Sequence, residues 1–402
     1  MSQYNTTSTM DGLFKTLYGD SQINLVPESN VLLNLIKFRE SEKLGKDYKV
    51  PVTLANEQGA TYLAAGDGVT TLNDSIAMTS KEAVVNGAQL IMRGALDMES
   101  ASKAAAQGPK AFKDATQLLV ENLTDSASKR LELMFLYGRS GLATVSSLSS
   151  QVITLTTASF AEGIWAGMEG AVIDVYTSGG SVRQAGLVIS SVDLDARTIT
   201  VTGTTTGIVS TDVVYFKGAY GKECYGLDAI ITNSSSLFGI DASAYALWKG
   251  SSYSAGSAAL TMTKVLSAVS KAIGKGGLNE EVICLVNPKT WNNLNSDQAA
   301  LRMYGDEKSE AKNGFEAITY RGPNGKISVI AHSYIKEGEA FIFPPKKVKR
   351  VGSQDLSFVN PTGQVFMQVP DKNAYECRIY GNQSIFVECP AKCVKITSIV
   401  NS

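Results

Sequence analysis

The sequence has 402 residues, of which 44% are hydrophobic and 19% are charged, as in a folded chain of two or three domains. Its 37 Lys and Arg residues against 38 Asp and Glu residues give a formal net charge of -1. A basic excess is typical of proteins that bind nucleic acid tightly through its phosphates, and its absence argues against that class.

The first 44 residues are typical of an extended arm with one anchoring helix. Polar stretches surround the apolar run NVLLNLIKF, which follows Pro27. The opening MSQYNTTSTMDGLF lacks the basic and apolar regions of a signal peptide, and no apolar run reaches the roughly 20 residues of a membrane helix. We therefore expect neither a leader nor a membrane segment.

Residues 45–84 predict a long hairpin with a tip of small residues. KDYKVPVTL alternates with the period of a strand, and the chain from Ser75 onward is again largely extended. The connecting stretch EQGATYLAAGDGVTTLND lacks the third glycine and the following helix of a dinucleotide-binding loop. We interpret it as a flexible tip for contacts between subunits, centred on Gly66, Asp67 and Gly68.

The strongest helix signal covers residues 109–137, inside the segment 85–144. Apolar residues recur every three or four positions, and Pro109 and Gly138 suit the two ends of a helix. A helix of about 28 residues spans roughly 42 Å, which indicates a spine for the fold. The buried stripe that we predict includes Phe112, Leu119, Leu123, Leu131 and Met134.

Residues 145–222 are rich in Thr, Val, Ile, Ser and Gly and contain five or six short strand patterns. Gly179 and Gly180 mark a tight turn between two of these strands. The regular spacing predicts a small β-barrel or sandwich, inserted as its own module. The alternative is that these strands belong to the parent sheet.

From residue 223 to the end, helices and strands follow one another without a regular βαβ alternation, which predicts an α+β fold. We expect one helix over residues 261–274 and another from Lys289 to about Tyr304. The remaining segments, from AITYRG to KCVKITSI, have strand patterns.

The sequence contains no convincing catalytic constellation. His332 is the only histidine, and its apolar neighbours in ISVIAHSYI indicate a packed side chain. Neither GAYGKEC nor GPNGKIS has the spacing of a P-loop. The five cysteines lack the paired spacing of zinc sites and are expected to be reduced thiols. We therefore predict no enzyme, no metal and no cofactor.

Two further features have structural interpretations. PPKKVKR is the one basic cluster, and we interpret it as a solvated strand edge or as a contact to an acidic neighbour. Its charged residues are Lys346, Lys347, Lys349 and Arg350. The aromatic residues Tyr245 and Trp248 are expected in the core or at an interface, although a ligand platform is the alternative.

Extended arms and long hairpins bury little surface within their own chain. They become stable when neighbouring subunits cover them. Together with the missing catalytic constellation, this property points to a structural protein that assembles with copies of itself.

The order of these elements resembles that of the major capsid proteins of tailed bacteriophages, which have the Hong Kong 97 fold. GLFKTLYGD followed by LVPESNVLLNLI is similar to the family's opening, and EVICLVNPKTWNNL is similar to its axial strand and helix. ECRIYGNQSIFVECPAKCVKITSI resembles the closing strands. The resemblance implies the following division: an N-terminal arm (1–44), an E-loop hairpin (45–84), a peripheral domain with the spine helix (85–144), an inserted β-barrel-like domain (145–222), an axial domain (223–340), peripheral strands (341–388) and a return strand to the axial domain (389–402).

The resemblance also implies a function. Copies of the chain would form the hexamers and pentamers of an icosahedral head around double-stranded DNA, assembled in the cytoplasm of the bacterial host. Small residues at 59–68 would let the hairpin bend as a procapsid matures. Expected partners are the chain itself, a separate scaffolding protein, a portal protein and, as a further candidate, a decoration protein, while packaged DNA is contacted only non-specifically.

The family's covalent cross-link is not carried over. Lys49 and Lys81 lie in the hairpin limbs, outside a recognisable cross-link motif. Two alternative functions stay open at this point: an encapsulin-like compartment shell with enzyme cargo, and a β-rich tail or carbohydrate-binding protein.

Overall fold

A computed structural model of the chain describes residues 30–43, 47–98, 115–297, 317–323, 325–358, 365–370 and 372–401. The described helices are α1 (Val31–Leu35), α2 (Ala115–Tyr137), α3 (Glu162–Trp165), α4 (Leu227–Ile231), α5 (Met262–Gly276) and α6 (Pro288–Ser296). None of these described helices combines the length and apolar character needed to cross a membrane.

Twenty-one strands lie in the same described residues, and together with the helices they confirm the predicted α+β class. They are β1 (Phe38–Lys43), β2 (Tyr48–Ala55), β3 (Thr79–Val85), β4 (Ala88–Asp97), β5 (Ala143–Ser149), β6 (Val152–Leu155), β7 (Val172–Tyr176), β8 (Val182–Asp193), β9 (Thr198–Thr202), β10 (Val213–Phe216), β11 (Ser236–Leu237), β12 (Ile240–Asp241), β13 (Ser251–Ala258), β14 (Val282–Val286), β15 (Ala317–Gly322), β16 (Gly325–Ala331), β17 (Ala340–Phe343), β18 (Val348–Ser357), β19 (Phe366–Gln368), β20 (Ala374–Val387) and β21 (Val394–Ile399).

The peripheral sheet has the order β1-β18-β20-β19, with β4 also paired to β20, and α2 packs on one of its faces. Strand β4 alternates as a half-buried strand does: Leu90 and Met92 lie on the helix side, whereas Ile91 and Arg93 are exposed. The period-two pattern shows that β4 is covered on the face toward α2 and exposed on the other face.

The predicted stripe of the spine helix lies largely in the core. Leu123, Leu131 and Met134 are buried and Leu119 is half-buried, while Phe112 falls outside the described residues. From Leu131 to Tyr137 every side chain of α2 is buried. The first part of α2 is therefore buried along one stripe, whereas its last two turns are buried on all sides. There α1 and α4 also contact the helix.

Six strands between residues 143 and 216 close into a barrel in the order β10-β5-β6-β9-β8-β7. Within the described residues they pair with one another and not with strands of either larger sheet. The barrel starts at Ala143, two residues before the start of the predicted module, and its last strand ends at Phe216.

After the barrel, the chain packs against the end of the spine helix at two glycines. Gly226 N–H donates to the carbonyl of Gly138 at 3.0 Å. A Cβ on Gly226 would lie 2.5 Å from the nitrogen of Gly138 and 2.8 Å from the carbonyl oxygen of Leu136. Since both of these neighbours are backbone atoms, only glycine permits this approach.

The axial sheet has the order β13-β21-β17-β14-β16-β15 and packs with α5 around a second hydrophobic cluster. β14 is buried along its whole length. β17 pairs with β14 and β21, so residues 341–343 belong to this sheet and not, as predicted, to the peripheral strands. The helix predicted from Lys289 is α6, which ends at Ser296 before an extended Asp297, and the rest of the predicted helix, residues 298–304, lies outside the described residues.

A titratable carboxyl group lies where the chain returns from the barrel to the spine helix. Glu223 Oε2 accepts a hydrogen bond from the N–H of Arg139 at 3.4 Å, and Arg139 Nε donates to the carbonyl of Glu223 at 2.9 Å. Burial raises the pKa of the Glu223 carboxyl to about 7, against the opposing effects of that bond and of the charges on Arg130 and Arg139. The folded state therefore favours the protonated form.

We predict that this group makes stability depend on pH. Because the folded-state pKa of Glu223 is raised, its contribution is fully present below about pH 4.5 and is lost as the pH rises through about 7. Glu223→Gln removes the titration, so the free energy of unfolding of the original chain should fall relative to the variant by up to about 3 kcal/mol between pH 5 and pH 8. Urea unfolding at several pH values measures the difference.

The exposed Glu281→Gln provides the matched control and should show no such pH-dependent difference. A difference between the original chain and Glu223→Gln that stays constant from pH 5 to pH 8 would contradict the assignment.

Candidate assembly surface

The root of the hairpin is fixed to the body. Strands β2 and β3 pair antiparallel from Tyr48 opposite Val85 to Ala55 opposite Thr79. Near the root, Ala83 and Val85 are fully buried. The N–H of Val84 donates to the carbonyl of Phe238 at 2.9 Å, in the ribbon formed by β11 and β12. These contacts hold the base of the hairpin in one orientation.

Beyond the root lies the tip segment, which we define as residues 56–78. All its residues are exposed except Thr61, which is half-buried. Six large apolar side chains of this segment are each more than half exposed: Tyr62, Leu63, Val69, Leu72, Ile76 and Met78. Such a concentration of exposed apolar residues is typical of a surface that binds another protein.

A few hydrogen bonds connect the two limbs of the tip segment. The side-chain amide of Asn73 donates to the carbonyl of Ala60 at 2.9 Å, and the backbone N–H of Asn73 donates to Thr61 Oγ1 at 2.8 Å. The N–H of Gln58 donates to the carbonyl of Ile76 at 3.0 Å. The limbs thus stay together without any apolar core of their own.

The predicted tip residues lie together in an exposed turn. The carboxylate of Asp67 accepts from the N–H of Ala64 at 2.7 Å, and the N–H of Asp67 donates to the carbonyl of the same residue at 3.1 Å. Gly66 has φ +98, in the region that favours glycine, and a Cβ on Gly66 or Gly68 would meet no atom within 4 Å. The role of these residues in contacts between subunits stays a prediction.

The end of the arm is held by one buried carboxylate on the spine helix. Glu132 Oε1 accepts from the N–H of Leu32 at 2.6 Å, and Oε2 accepts from the N–H of Leu33 at 2.9 Å. These donors lie in the first turn of α1, where backbone N–H groups have no partner within the helix. The spine helix therefore supplies the N-terminal cap of α1, since the side chain of the N-cap residue Asn30 makes no capping hydrogen bond.

The same carboxylate binds the single histidine. Nε2 of His332 lies 2.8 Å from Glu132 Oε1, and both side chains are buried. The N–H of Tyr334 donates to His332 Nδ1 at 3.1 Å, so Nδ1 is an acceptor and Nε2 carries the proton that is donated to Glu132. His332 is thus a packed structural residue, as the sequence predicts, and the contact links the axial loop, residues 332–339, to the arm.

The basic run does not form one exposed patch. Lys346 is exposed, whereas Lys347 and Lys349 lie 3.5 and 3.0 Å from Glu388. Arg350 is buried, so its place in a contact patch needs correction. Its guanidinium bonds Gln383, lies 2.8 Å from Asp355 Oδ1 and reaches the carbonyl of Ile36 at 3.5 Å. The Arg350 side chain therefore fixes the arm and not a partner.

The other candidates for chemistry occupy structural positions. Trp248 is buried and donates to the carbonyl of Leu237 at 2.9 Å. Burial raises the pKa values of the Cys224 and Cys284 thiols to about 12, which makes both poor nucleophiles at neutral pH. In the part of the chain that the structure describes, no three His, Cys, Asp or Glu side chains are grouped to hold a metal ion.

Comparisons with known proteins identify relatives of this architecture. A family model described as SU10 major capsid protein matches residues 187–399, more than half of the chain. No curated protein sequence matches it.

Solved structures extend the likeness to nearly the whole chain. The capsid asymmetric unit of cyanophage A-1(L) is similar with a TM-score of 0.59 and 13% identity, covering 98% of this chain and 99% of that one. The capsid of a native GTA particle has a TM-score of 0.53 and 9% identity, with coverage of 98% and 99%. The capsid of Myoviridae phage XM1 has a TM-score of 0.50 and 7% identity, with coverage of 96% and 97%. At such identities the likeness is one of fold, and it confirms the predicted fold class.

We predict that Glu132→Gln destabilises the fold strongly although it preserves the shape of the side chain. In either orientation, the amide nitrogen of the glutamine faces at least one buried N–H group that the carboxylate oxygen accepts from. The unpaired donors should lower the free energy of unfolding by about 2–4 kcal/mol. Urea unfolding measures this change, with exposed Glu281→Gln as the control; an equal, small effect of both substitutions would contradict the role of Glu132.

Proposed function

The chain belongs to the SU10 major capsid protein family, and on this premise we propose how copies of it build the icosahedral capsid of a phage. The tip segment of one copy lies across a neighbouring copy within hexamers and pentamers, and its apolar side chains become buried there. The observation that carries this proposal is the set of six exposed apolar side chains on residues 56–78, beyond a buried root.

The energetics favour assembly through such a segment. Full burial of a Val, Leu or Met side chain stabilises by about 1.5–3 kcal/mol. The side chains of the tip segment are already exposed and their limbs already connected, so little internal packing is lost when they transfer to a neighbour. Each contact is modest, and the sum over all copies of a closed shell is large.

We propose that the same segment changes its conformation as the procapsid matures into the capsid. Gly66 and the small residues at 59–68 permit a change of backbone angles at the far end of the hairpin, while the root stays bound to β11 and β12. The tip would thus swing on a fixed base as the shell expands.

The proposed content of the shell and its proposed partner proteins are those that the resemblance to tailed-phage capsid proteins implies. We propose that the head encloses double-stranded DNA, which a chain of net charge -1 contacts only non-specifically. A separate scaffolding protein, a portal protein and a decoration protein are the proposed partners, and assembly takes place in the cytoplasm of the bacterial host. DNA protected from nuclease in purified particles supports a phage head, whereas enzyme cargo without DNA would support a compartment shell.

We predict that Val69→Asp combined with Leu72→Asp abolishes assembly without changing the fold. Both side chains are exposed in the single chain, so the thermal midpoint should stay unchanged, but each new carboxylate would be buried against a neighbour. The assembled fraction, measured by sedimentation and negative-stain imaging, should fall roughly tenfold or more.

Val69→Ile combined with Leu72→Met keeps the apolar surface and should assemble like the original chain. Normal shells from the Asp variant would show that the tip segment does not mediate assembly.

A further inference from the structure

Strand β13 forms the outer edge of the axial sheet. Among the described strands, β13 lies at one end of the sheet and pairs parallel with β21. The N–H of Ser251 donates to the carbonyl of Cys393 at 3.0 Å. Because successive residues of a strand direct their peptide groups to opposite sides, those of Ser252 and Ser254 point away from β21. The peptide group of Gly250 points the same way, but its N–H already donates to the carbonyl of Ile231 at 3.1 Å.

The strand itself lacks the usual protection of an edge. Its sequence, SSYSAGSA, contains no charged residue and no proline. Ser252 and Ser254 are exposed. An unprotected row of peptide groups of this kind is a template for a strand of another molecule.

Two lysines of α5 donate hydrogen bonds to the outward-pointing carbonyl groups. The ammonium of Lys271 donates to the carbonyl of Ser252 at 3.0 Å, and that of Lys275 donates to the carbonyl of Gly250 at 2.8 Å. Both acceptors belong to the outward-pointing set. A third lysine, Lys264, donates to the carbonyl of Ala255 at 2.8 Å, which lies outside the outward-pointing set.

Geometry on both elements fits this arrangement. The lysines are spaced seven and four residues apart, which places them on one side of α5. After Ser254, strand β13 has a bulge: its pairing with β21 shifts between Ser254 and Ala258, and Ser257 has φ +55. The bulge interrupts the edge where the lysine contacts to outward carbonyls end.

We propose that Lys271 and Lys275 protect the edge of β13 from strand pairing with a second copy of this chain. A strand that approached this edge would have to displace the ammonium groups from the carbonyl oxygens and cover their charge. The edge is thereby closed to self-association, which leaves contacts between copies to other surfaces. The proposal concerns the single chain and does not depend on the proposed role of the tip segment.

The test uses Lys271→Met combined with Lys275→Met, which keeps the aliphatic length and removes the donors. Ser252→Cys is added as a reporter, and a short thiol-specific cross-linker joins copies whose edges meet. The yield of cross-linked dimer should rise roughly tenfold over the Ser252→Cys chain with its lysines intact. Circular dichroism checks that the variant is folded.

Two controls make the result specific. Lys271→Arg combined with Lys275→Arg retains charged donors and should give the low yield of the original chain. Ser190→Cys, on an exposed residue of the barrel, should report no increase in the Met background. If the double Met variant does not fold, the single Lys271→Met must still raise the yield through Ser252→Cys. Equal yields from the Met, Arg and original chains, or an equal increase through Ser190→Cys, would overturn the proposal.

Discussion

Burial ends abruptly along the hairpin, and this boundary determines how the chain can reach a stable state. Ala83 and Val85 are fully buried, whereas Val69 and Leu72 are largely exposed. The hydrophobic effect favours the removal of such side chains from water, but it does not specify which molecule covers them. Within the described residues the root is fixed to the body and hydrogen bonds connect the limbs of the tip, and we propose that a neighbouring copy covers the apolar side chains of the tip.

The body that carries the hairpin is held together by buried polar groups with distant partners. Glu132 joins the arm, the spine helix and the axial loop, and Arg350 joins the arm to the peripheral sheet. Separation of any of these segments would leave a buried donor or charge unpaired, which is costly. The body can therefore act as a firm base, and we propose that the tip segment makes contacts between copies while the edge of β13 is closed to them.

Much of this fold could be predicted from sequence because it depends on local periodicity. The spine helix follows from its apolar spacing, and the barrel follows from short strands with turn glycines such as Gly180. The contact between Glu132 and His332 could not be predicted, since it joins residues 200 positions apart and neither neighbourhood reveals it. Arg350 shows the same limit: a basic run indicates charge, but its burial depends on Gln383 and Asp355, which only the folded chain brings to it.

The most direct test of the account is a cryo-electron-microscopy reconstruction of the assembled shell at a resolution that shows side chains. We expect Tyr62, Val69 and Leu72 of each copy in contact with apolar side chains of a neighbouring copy, with the root on β11 and β12 unchanged. A shell in which these side chains pack onto their own subunit, or still face solvent, would contradict the claim that copies hold one another through the hairpin.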